Sequence, residues 1–416
     1  MIQLFKLAFR NVLRNRRRSI ITLIAVIIGI FAYITMDGVM NALQNQSKLM
    51  LKLVETAHIK IFAKDYWEHR FKEPLEYTIE DYLEVEDMIS AMQGIEGVTE
   101  RIQFQTRIYD GRDEMVCTGI AIDIDGGDQT VFNLKDSIAK GEYLQKGESA
   151  IIGINLADLF ELEVGSWLTL EFKDKNGIYD AAQVVVTGIF STGHPDIDSS
   201  AIYLPLDLMQ KRLDMENSVT EIAIRLKSER NLKTFNKKLD ERLHAEFMEK
   251  HDFETLTWKE QAEDFLSFME ADALGGYITI YFLLIIVIVG IMNTMLMAVY
   301  ERVREIGALM ALGMQKKRVR RLFLMEGALL GVFGSLIGMA MGLIVIIILS
   351  KSGINVGALY AGQDVGYLIK DYIYTEVKII PFIEAFIIGV VAAVIASYIP
   401  ARYASKMKPA EALRKY

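Results

Sequence analysis

The sequence predicts an α-helical membrane domain of four transmembrane helices that carries a large α+β domain on one side of the bilayer. Two observations predict it. About half of the 416 residues are hydrophobic, yet 24% are charged, a mixture that a single globular core does not produce. Three apolar runs, Tyr277–Val299, Leu322–Leu349 and about Phe382–Ile399, reach the length of about 20 residues that a hydrocarbon core of roughly 30 Å demands. A fourth, Ile20–Thr35, reaches it by continuing as helix through Met36–Leu43. The basic stretch before it resembles the start of a signal peptide. No A-x-A-like cleavage site follows, so a retained helix is expected.

Orientation follows from the placement of lysine and arginine. Lys6, Arg10, Arg14, Arg16, Arg17 and Arg18 precede the first span. The loop between the second and third spans carries seven basic residues and the tail five, whereas the loop after the third span holds only Lys351, Lys370 and Lys378. Both termini and the basic loop are therefore expected in the cytoplasm. The resulting order is a cytoplasmic amphipathic helix (1–19), a first span with an outer extension (20–43) and an outer domain (44–276). A second span (277–300), a cytoplasmic loop (301–321), a third span (322–349), an outer loop (350–380), a fourth span (381–400) and a cytoplasmic tail (401–416) complete it. The outer segment from Asp37 to Gly276 carries 25 basic and 46 acidic residues, a net −21 where the whole chain is −8. That acidity excludes nucleic acid as a partner, which needs a basic footprint. Cys117 is the sole cysteine, so no intrachain disulfide holds the outer domain and its own core must.

Along that domain, Val54–Ala63 alternates apolar and polar residues as a strand does. Thr78–Met92 reads as a helix, Val98–Tyr109 and Met115–Ile122 as strands, Val219–Leu226 as a strand, Arg230–Met248 as a helix and Phe253–Trp258 as a strand. An insertion at about 123–217 divides this strand–helix–strand pattern and reads as a β-rich subdomain. Its Leu168, Leu170 and Phe172 alternate on one strand and Val184 and Val186 on the next, with the Asn-Gly of "KDKNG" (Lys173–Gly177) as the turn. Lys259–Leu274 reads as an amphipathic helix leading into the second span.

No constellation for catalysis is present: there is no phosphate-cradling G-x-x-x-x-G-K-[ST], no G-x-S-x-G, no H-E-x-x-H and no C-x-x-C. "GHPDID" brings His194, Asp196 and Asp198 close in sequence, but Gly193 and Pro195 suggest a solvated loop, and no metal site is expected. In the third span, Gly327 and Gly331 share one small-residue face, and Gly334, Gly338 and Gly342 another. Such faces serve close helix packing within a chain or between two chains. Glu326, costly in lipid, is expected to face protein, with Arg320 or Arg321 as partner. The N-terminal helix places Leu4, Leu7, Ala8 and Val12 on one face and Arg10, Arg14 and Arg17 towards the other, as a helix on the inner leaflet does. In "ERVREIGALMALGMQKKRVRR" (Glu301–Arg321), Ile306, Leu309, Met310 and Gly313 fall at i, i+3, i+4 and i+7. That is an apolar face with no evident groove of this chain to cover it, suited to the membrane surface or to another protein.

The stretch from Glu301 through Gly342 resembles the E-R-x-x-E-I-G-x-x-x-A-x-G…F-x-x-E signature of MacB/FtsX/LolC–LolE-type ABC transporter permeases. "PARYASKMKPAEALRKY" (Pro400–Tyr416) resembles the C-terminal pattern of that family, and "AFRNVLRNRRRS" its N-terminal one. The resemblance implies that two permeases, identical or related, pair with an ABC ATPase dimer that binds ATP and magnesium, so this chain needs no cofactor and is no enzyme itself. A coupling helix after the second span then docks on the ATPase, with Glu301, Arg302, Glu305, Gly307, Ala311 and Gly313 at the matching positions beside Ile306, Leu309 and Met310.

Within the family, "GIFSTGHPDIDSSAIYLPLDLMQKRL" (Gly188–Leu213) is similar to the end of the insertion in the lipoprotein-releasing LolC/LolE branch. That branch extracts lipoproteins from the inner membrane and delivers them to a periplasmic carrier. The LolC type recruits the carrier with a longer, proline-containing hook, whereas the matching position here is the short hairpin "FKDKNGIYDAAQ". The resemblance thus implies a LolE-like half of a heterodimer, or a permease with a different role, either MacB-like export from the periplasm or FtsX-like signalling to a cell-wall hydrolase. For lipid cargo the expected shelter is formed by Met36, Val39, Met40 and Leu43 on one stalk and Phe265, Leu266, Phe268 and Met269 on the other. Methionine adapts to irregular apolar surfaces.

Overall fold

Among the described residues, four helices are long and apolar enough to cross a membrane. The computed structural model describes residues 2–72, 74–109, 114–247, 252–355, 372–409 and 412. The last residues of the C-terminal motif, 410–411 and 413–416, and most of the expected outer loop, 356–371, lie outside the described residues, as does Met248. Contacts divide the chain into a membrane unit (Met1–Leu43, Met269–Ile354, Ile373–Tyr416) and an outer unit (Gln44–Phe268, Asn355–Tyr372).

The membrane unit is built from α1 (Ile2–Arg14), α2 (Arg16–Leu51), α3 (Glu263–Glu301), α4 (Val303–Ala311), α5 (Lys316–Ser352) and α6 (Ile379–Lys406), where α2 and α3 also contribute segments to the outer unit. Inside lipid there is no hydrophobic force between helices, so packing depends on close approach at small residues. α5 is the hub. A Cβ at Gly331 would lie 2.9 Å from Ala393 Cβ and 3.0 Å from Val390 Cα of α6, and Gly327 abuts Ser397 there. A Cβ at Gly334, Gly338 or Gly342 would instead strike α2: Val26 at 2.7 Å, the Ile27 carbonyl at 2.9 Å and Ile34 at 2.8 Å respectively. Both glycine faces are thus occupied within the chain. α6 answers with buried Ala385, Gly389, Ala392, Ala393 and Ala396.

α1 turns only part of its expected apolar face inward. Ala8 and Asn11 are buried, and Ala8 packs with Leu322 and Leu329 of α5, while Phe5, Leu7, Phe9 and Leu13 are exposed. Its inward face is therefore the Ala8–Asn11–Val12 side, and the larger apolar residues point away from it.

The outer unit is organised on a ten-stranded sheet. Its strands are β1 (Ile59–Ala63), β2 (Ile95–Tyr109), β3 (Glu114–Ile122), β4 (Ile138–Gly141) and β5 (Ser149–Gly153), then β6 (Trp167–Lys173), β7 (Tyr179–Phe190), β8 (Ala201–Pro205), β9 (Glu221–Leu226) and β10 (Phe253–Thr257). The order is β10-β1-β9-β2-β3-β8-β5-β7-β4, with β6 pairing β2 and β7. The strands of the expected β-rich insertion extend the same sheet: β8 lies parallel to β3, with Thr118 opposite Ala201. The expected hairpin β6–β7 forms, with Leu170 opposite Ala182, and its turn places Gly177 at φ +79°. The helix Leu232–Phe247 buries Leu239 and Leu243, and the helix Tyr82–Ser90 buries Val85 and Ile89, in one core with Ile61, Phe104, Ile222 and Ile224.

Three expectations need correction. Val54–Thr56 is not strand; α2 continues through a π-helical turn, Lys52–Thr56, before β1 begins. The helix expected from Thr78 starts only at Tyr82, because Ile79–Glu80 pairs with Ser218–Val219 as a short strand. The Gly193–Asp198 segment is not a simple loop: Pro195–Ser200 is helical, and Asp198 accepts hydrogen bonds from Thr192 N and Oγ1 and from Gly193 N. Asp198 is thus consumed by these bonds, and His194 pairs with Glu55 at 3.2 Å. No group of three metal-ligating side chains occurs among the described residues.

The two chain segments that enter the outer unit from the membrane helices attach to neighbouring strands. β1 follows the π-turn, and β10, paired to it with Ile61 opposite Thr255, immediately precedes Trp258 and the helical run into α3. Lys52 pairs with Glu229 and lies 5.2 Å from the Trp258 ring centroid. His58 accepts a bond from Leu226 N at 2.9 Å on Nδ1 and faces Glu229 Oε1 at 3.1 Å with Nε2. Burial, aided by the Lys52 charge, keeps the His58 pKa below its ordinary value, although Glu229 pulls the other way. The neutral ring with hydrogen on Nε2 satisfies both contacts. Ala57, at φ +53° and 2% exposed, is a non-glycine residue held in a left-handed conformation at this joint, a cost that surrounding contacts must offset.

Two outcomes follow from this architecture. Gly338→Val should destabilise the detergent-solubilised protein by about 1–3 kcal/mol through overpacking, seen as a lower thermal midpoint. Gly290→Ala, where a Cβ meets nothing within 4 Å, should not lower it. Burial, with Glu86, Asp123 and Asp128 nearby, pushes Glu100 from 4.5 up to about 7. The folded chain therefore holds a proton that the unfolded chain releases, and stability drops as pH rises through that window. Glu100→Gln should raise the midpoint at about pH 8 and bring no gain near pH 4, where both states are protonated.

Candidate functional site

The candidate site is the link between α3 and α5. Arg302 breaks the helix after Glu301, with φ −105° and ψ 17°, and α4 starts at Val303. α4 ends in a Schellman arrangement: Met314 N bonds to Leu309 O at 3.0 Å and Gly313 N to Met310 O at 3.1 Å, with Gly313 at φ +93°. That conformation suits glycine. Gly313 is thus a helix terminator, and the chain turns at Gln315 into α5.

The expected apolar face of α4 is covered by its own chain. Ile306 and Gly307 are buried, and Met310 packs against the membrane unit's core with Val319 and Phe323 nearby in the same cluster. Leu309 is half-buried, and Ala311 and Gly313 are exposed. The surface left open is a different rim: Arg304, Ala308, Ala311 and Leu312. Leu312 is 87% exposed, the most exposed of the large apolar side chains among the described residues. Periodicity missed it because it is off the apolar stripe; the available signal was an apolar residue directly before a helix-ending glycine.

Three charged residues of the link, Glu301, Arg302 and Glu305, are paired internally. Arg302, 7% exposed, donates from Nε to Glu305 Oε2 at 3.0 Å and from Nη1 to Glu326 Oε1 and Oε2 at 3.1 and 3.2 Å. Its guanidinium carbon lies 5.5 Å from the Phe323 ring centroid. Glu326 also accepts from Asn11 Nδ2 at 2.6 Å, and Glu305 accepts from Arg14 Nη2 at 2.6 Å on each oxygen. Arg18 pairs with Glu301. The expected partners of Glu326, Arg320 and Arg321, are therefore replaced by Arg302, which reaches it from the end of the neighbouring helix. Burial would raise the Glu305 pKa, but the bonds from Arg302 and Arg14 outweigh it and hold the carboxyl below its ordinary range. Glu305 is accordingly a carboxylate at neutral pH.

The eight residues of the expected apolar shelter differ in exposure. On α2, Met36 is exposed and Val39, Met40 and Leu43 are half-buried. On α3, Phe268 is 49% exposed, while Phe265 and Leu266 pack against the core of the outer unit and Met269 is buried. Phe265 and Leu266 serve packing because the start of α3 is anchored to the outer unit's core. Met36 and Phe268 are the two of the eight whose side chains are open.

A family model described as MacB-like periplasmic core domain matches residues 19–242, and one described as FtsX-like permease C-terminal matches residues 277–409. An uncharacterized ABC transporter permease of Methanocaldococcus jannaschii is 26% identical over 98% of this chain and 96% of its own length. The pyoverdine export ATP-binding/permease protein PvdT of Pseudomonas fluorescens is 23% identical over 99% of this chain but 59% of its own length. The lipoprotein-releasing system transmembrane protein LolC of Neisseria meningitidis is 22% identical over 96% of this chain and 95% of its own length.

Proposed function

This chain belongs to the MacB/FtsX-like family of ABC transporter permeases, and from that premise we propose that it couples ATP hydrolysis in a separate ATPase to motion of its outer unit. Membership makes it an inner-membrane protein and implies an ABC ATPase partner. On our reading, a dimer of that ATPase, loaded with ATP and magnesium, docks on the cytoplasmic rim of α4, and a second permease, identical or related, completes the complex. The carrying observation is Leu312: a large apolar side chain, almost fully exposed at the tip of a helix whose other side is braced. Exposed apolar anchors beside polar rims are what binding partners bury. Both termini share that side of the membrane, as the basic residues favour.

The cargo we favour is a lipoprotein drawn from the outer leaflet of the membrane. Each acyl CH₂ removed from lipid costs about 0.8 kcal/mol, so extraction needs both ATP work and apolar cover. Met36 and Phe268 offer exposed apolar surface on α2 and α3. A LolC relative that matches along nearly its whole length supports this reading. A MacB-like export of peptides or small molecules is the second reading, favoured by the similarity to a pyoverdine export protein across 99% of the chain.

Leu312→Glu should abolish co-purification of the ATPase from cells, whereas Leu159→Glu, another exposed apolar position but in the outer unit, should leave it intact. ATPase retention by the Leu312 variant would rule out the rim as the docking surface. Mass spectrometry of the purified complex should find acylated lipoproteins, and Met36→Lys with Phe268→Lys should deplete them while the ATPase stays bound. An adaptor protein without lipoproteins would move the function to export.

A further inference from the structure

Glu301, Arg302 and Glu305 sit where the family signature places the contact with the ATPase, yet their side chains bond within this chain. One guanidinium, buried at the junction of α3 and α4, bonds α4 through Glu305 and α5 through Glu326. The two carboxylates it holds are in turn bonded from α1, by Arg14 and Asn11. Arg18 at the start of α2 adds a tie to Glu301. The ends of α1, α2 and α3 therefore meet α4 and α5 at this network, and α4 is fixed on its inner side while its rim stays open.

A buried ion pair is a poor device for stability, since well-packed apolar residues of similar volume serve as well or better. A forked guanidinium has another quality: its donors are rigid and coplanar, so it holds two carboxylates in one relative geometry, which a lysine point charge does not. We propose that Arg302 is a positioning residue that locks α4, α5 and α1 into one lever, so that a push on α4 moves α5 and α1 instead of bending the link. This rests on the reading of α4 as the docking element. Arg302 itself touches no ATPase.

The test uses the full chain in nanodiscs, with spin labels at Arg10→Cys on α1 and Ala308→Cys on α4, both exposed positions. It compares the otherwise unaltered chain with Arg302→Lys and with the double variant Arg302→Met/Glu326→Leu. The double variant removes both charges together, so no carboxylate is left buried without its partner and folding is retained. The unaltered chain should give one narrow α1–α4 distance, and both variants a clearly broader one. In the complex with ATPase, formed with unlabelled chains because Ala308 lies on the docking rim, the variants should retain as much ATPase as the unaltered chain, while permease-dependent stimulation of ATP turnover falls about tenfold. A narrow distance in the double variant, or full stimulation in either variant, overturns the proposal. Restoration of the narrow distance by lysine also overturns it, because charge alone would then suffice. If the unaltered chain carries no ATPase, the docking reading fails, and the distance measurements still decide whether Arg302 sets the position of α4.

Discussion

How closely α5 can approach its neighbours is the constraint on which the membrane unit depends. Lipid tails are as apolar as leucine, so burial of side chains supplies no force between helices, and contact must come from fit. α5 meets it with two glycine faces turned to different partners: Gly327 and Gly331 to α6, and Gly334, Gly338 and Gly342 to α2. The change of face falls between Gly331 and Gly334, where the spacing is three rather than four. One helix thereby sits against two others at near-backbone distance. α3 has no such stripe: a Cβ at Gly275 or Gly290 meets nothing within 4 Å, and few residues in the first half of that helix are buried.

That packing sets the stage for the polar network at its end. Glu326 lies one residue before Gly327 on α5, so its carboxylate is held at the close-packed side of the helix and is 5% exposed. A carboxylate there requires paired donors. Arg302 and Asn11 supply them, and Arg302 can do so only because α3 ends at Glu301 and the backbone turns. The break in the helix, the start of α4 and the pairing of this one buried charge thus fall at the same point of the chain. The rim with Leu312 is what remains outside.

The spans, the glycine faces, the β6–β7 hairpin and most strands were legible in the sequence, because each rests on a local period or a turn signal. What depends on tertiary partners was misread. Val54–Thr56 alternates like a strand, yet it extends α2, because Val54 and Thr56 are buried at a joint where Lys52 must meet Glu229 and Trp258. That the inserted strands continue the main sheet was not legible, because the parallel pairing of β8 with β3 links segments about 80 residues apart. A similar limit hid the candidate site. Ile306 and Met310 were legible as an apolar face, but whether that face looks out or in is decided by Val319 and Phe323, a helix away.

The outer unit carries a related logic. Arg101 and Asp128 form a fully buried pair at 2.6 Å, and Lys60 reaches Glu221 at 2.8 Å, with Phe132 under both cations at 3.4 and 5.9 Å. Lys60 belongs to β1 and Glu221 to β9, so this charged interior reaches the strand that directly follows α2. On its other side β1 pairs with β10, which leads into α3. A pull applied through either helix therefore loads one pair of adjacent strands. Antiparallel hydrogen bonds run perpendicular to the strands, so pulling along them shears five residue pairs at once, from Ile59–Thr257 to Ala63–Phe253. Such a joint resists sliding and passes displacement to the rest of the sheet, which is the mechanical property that the proposed coupling of ATP hydrolysis to the outer unit requires.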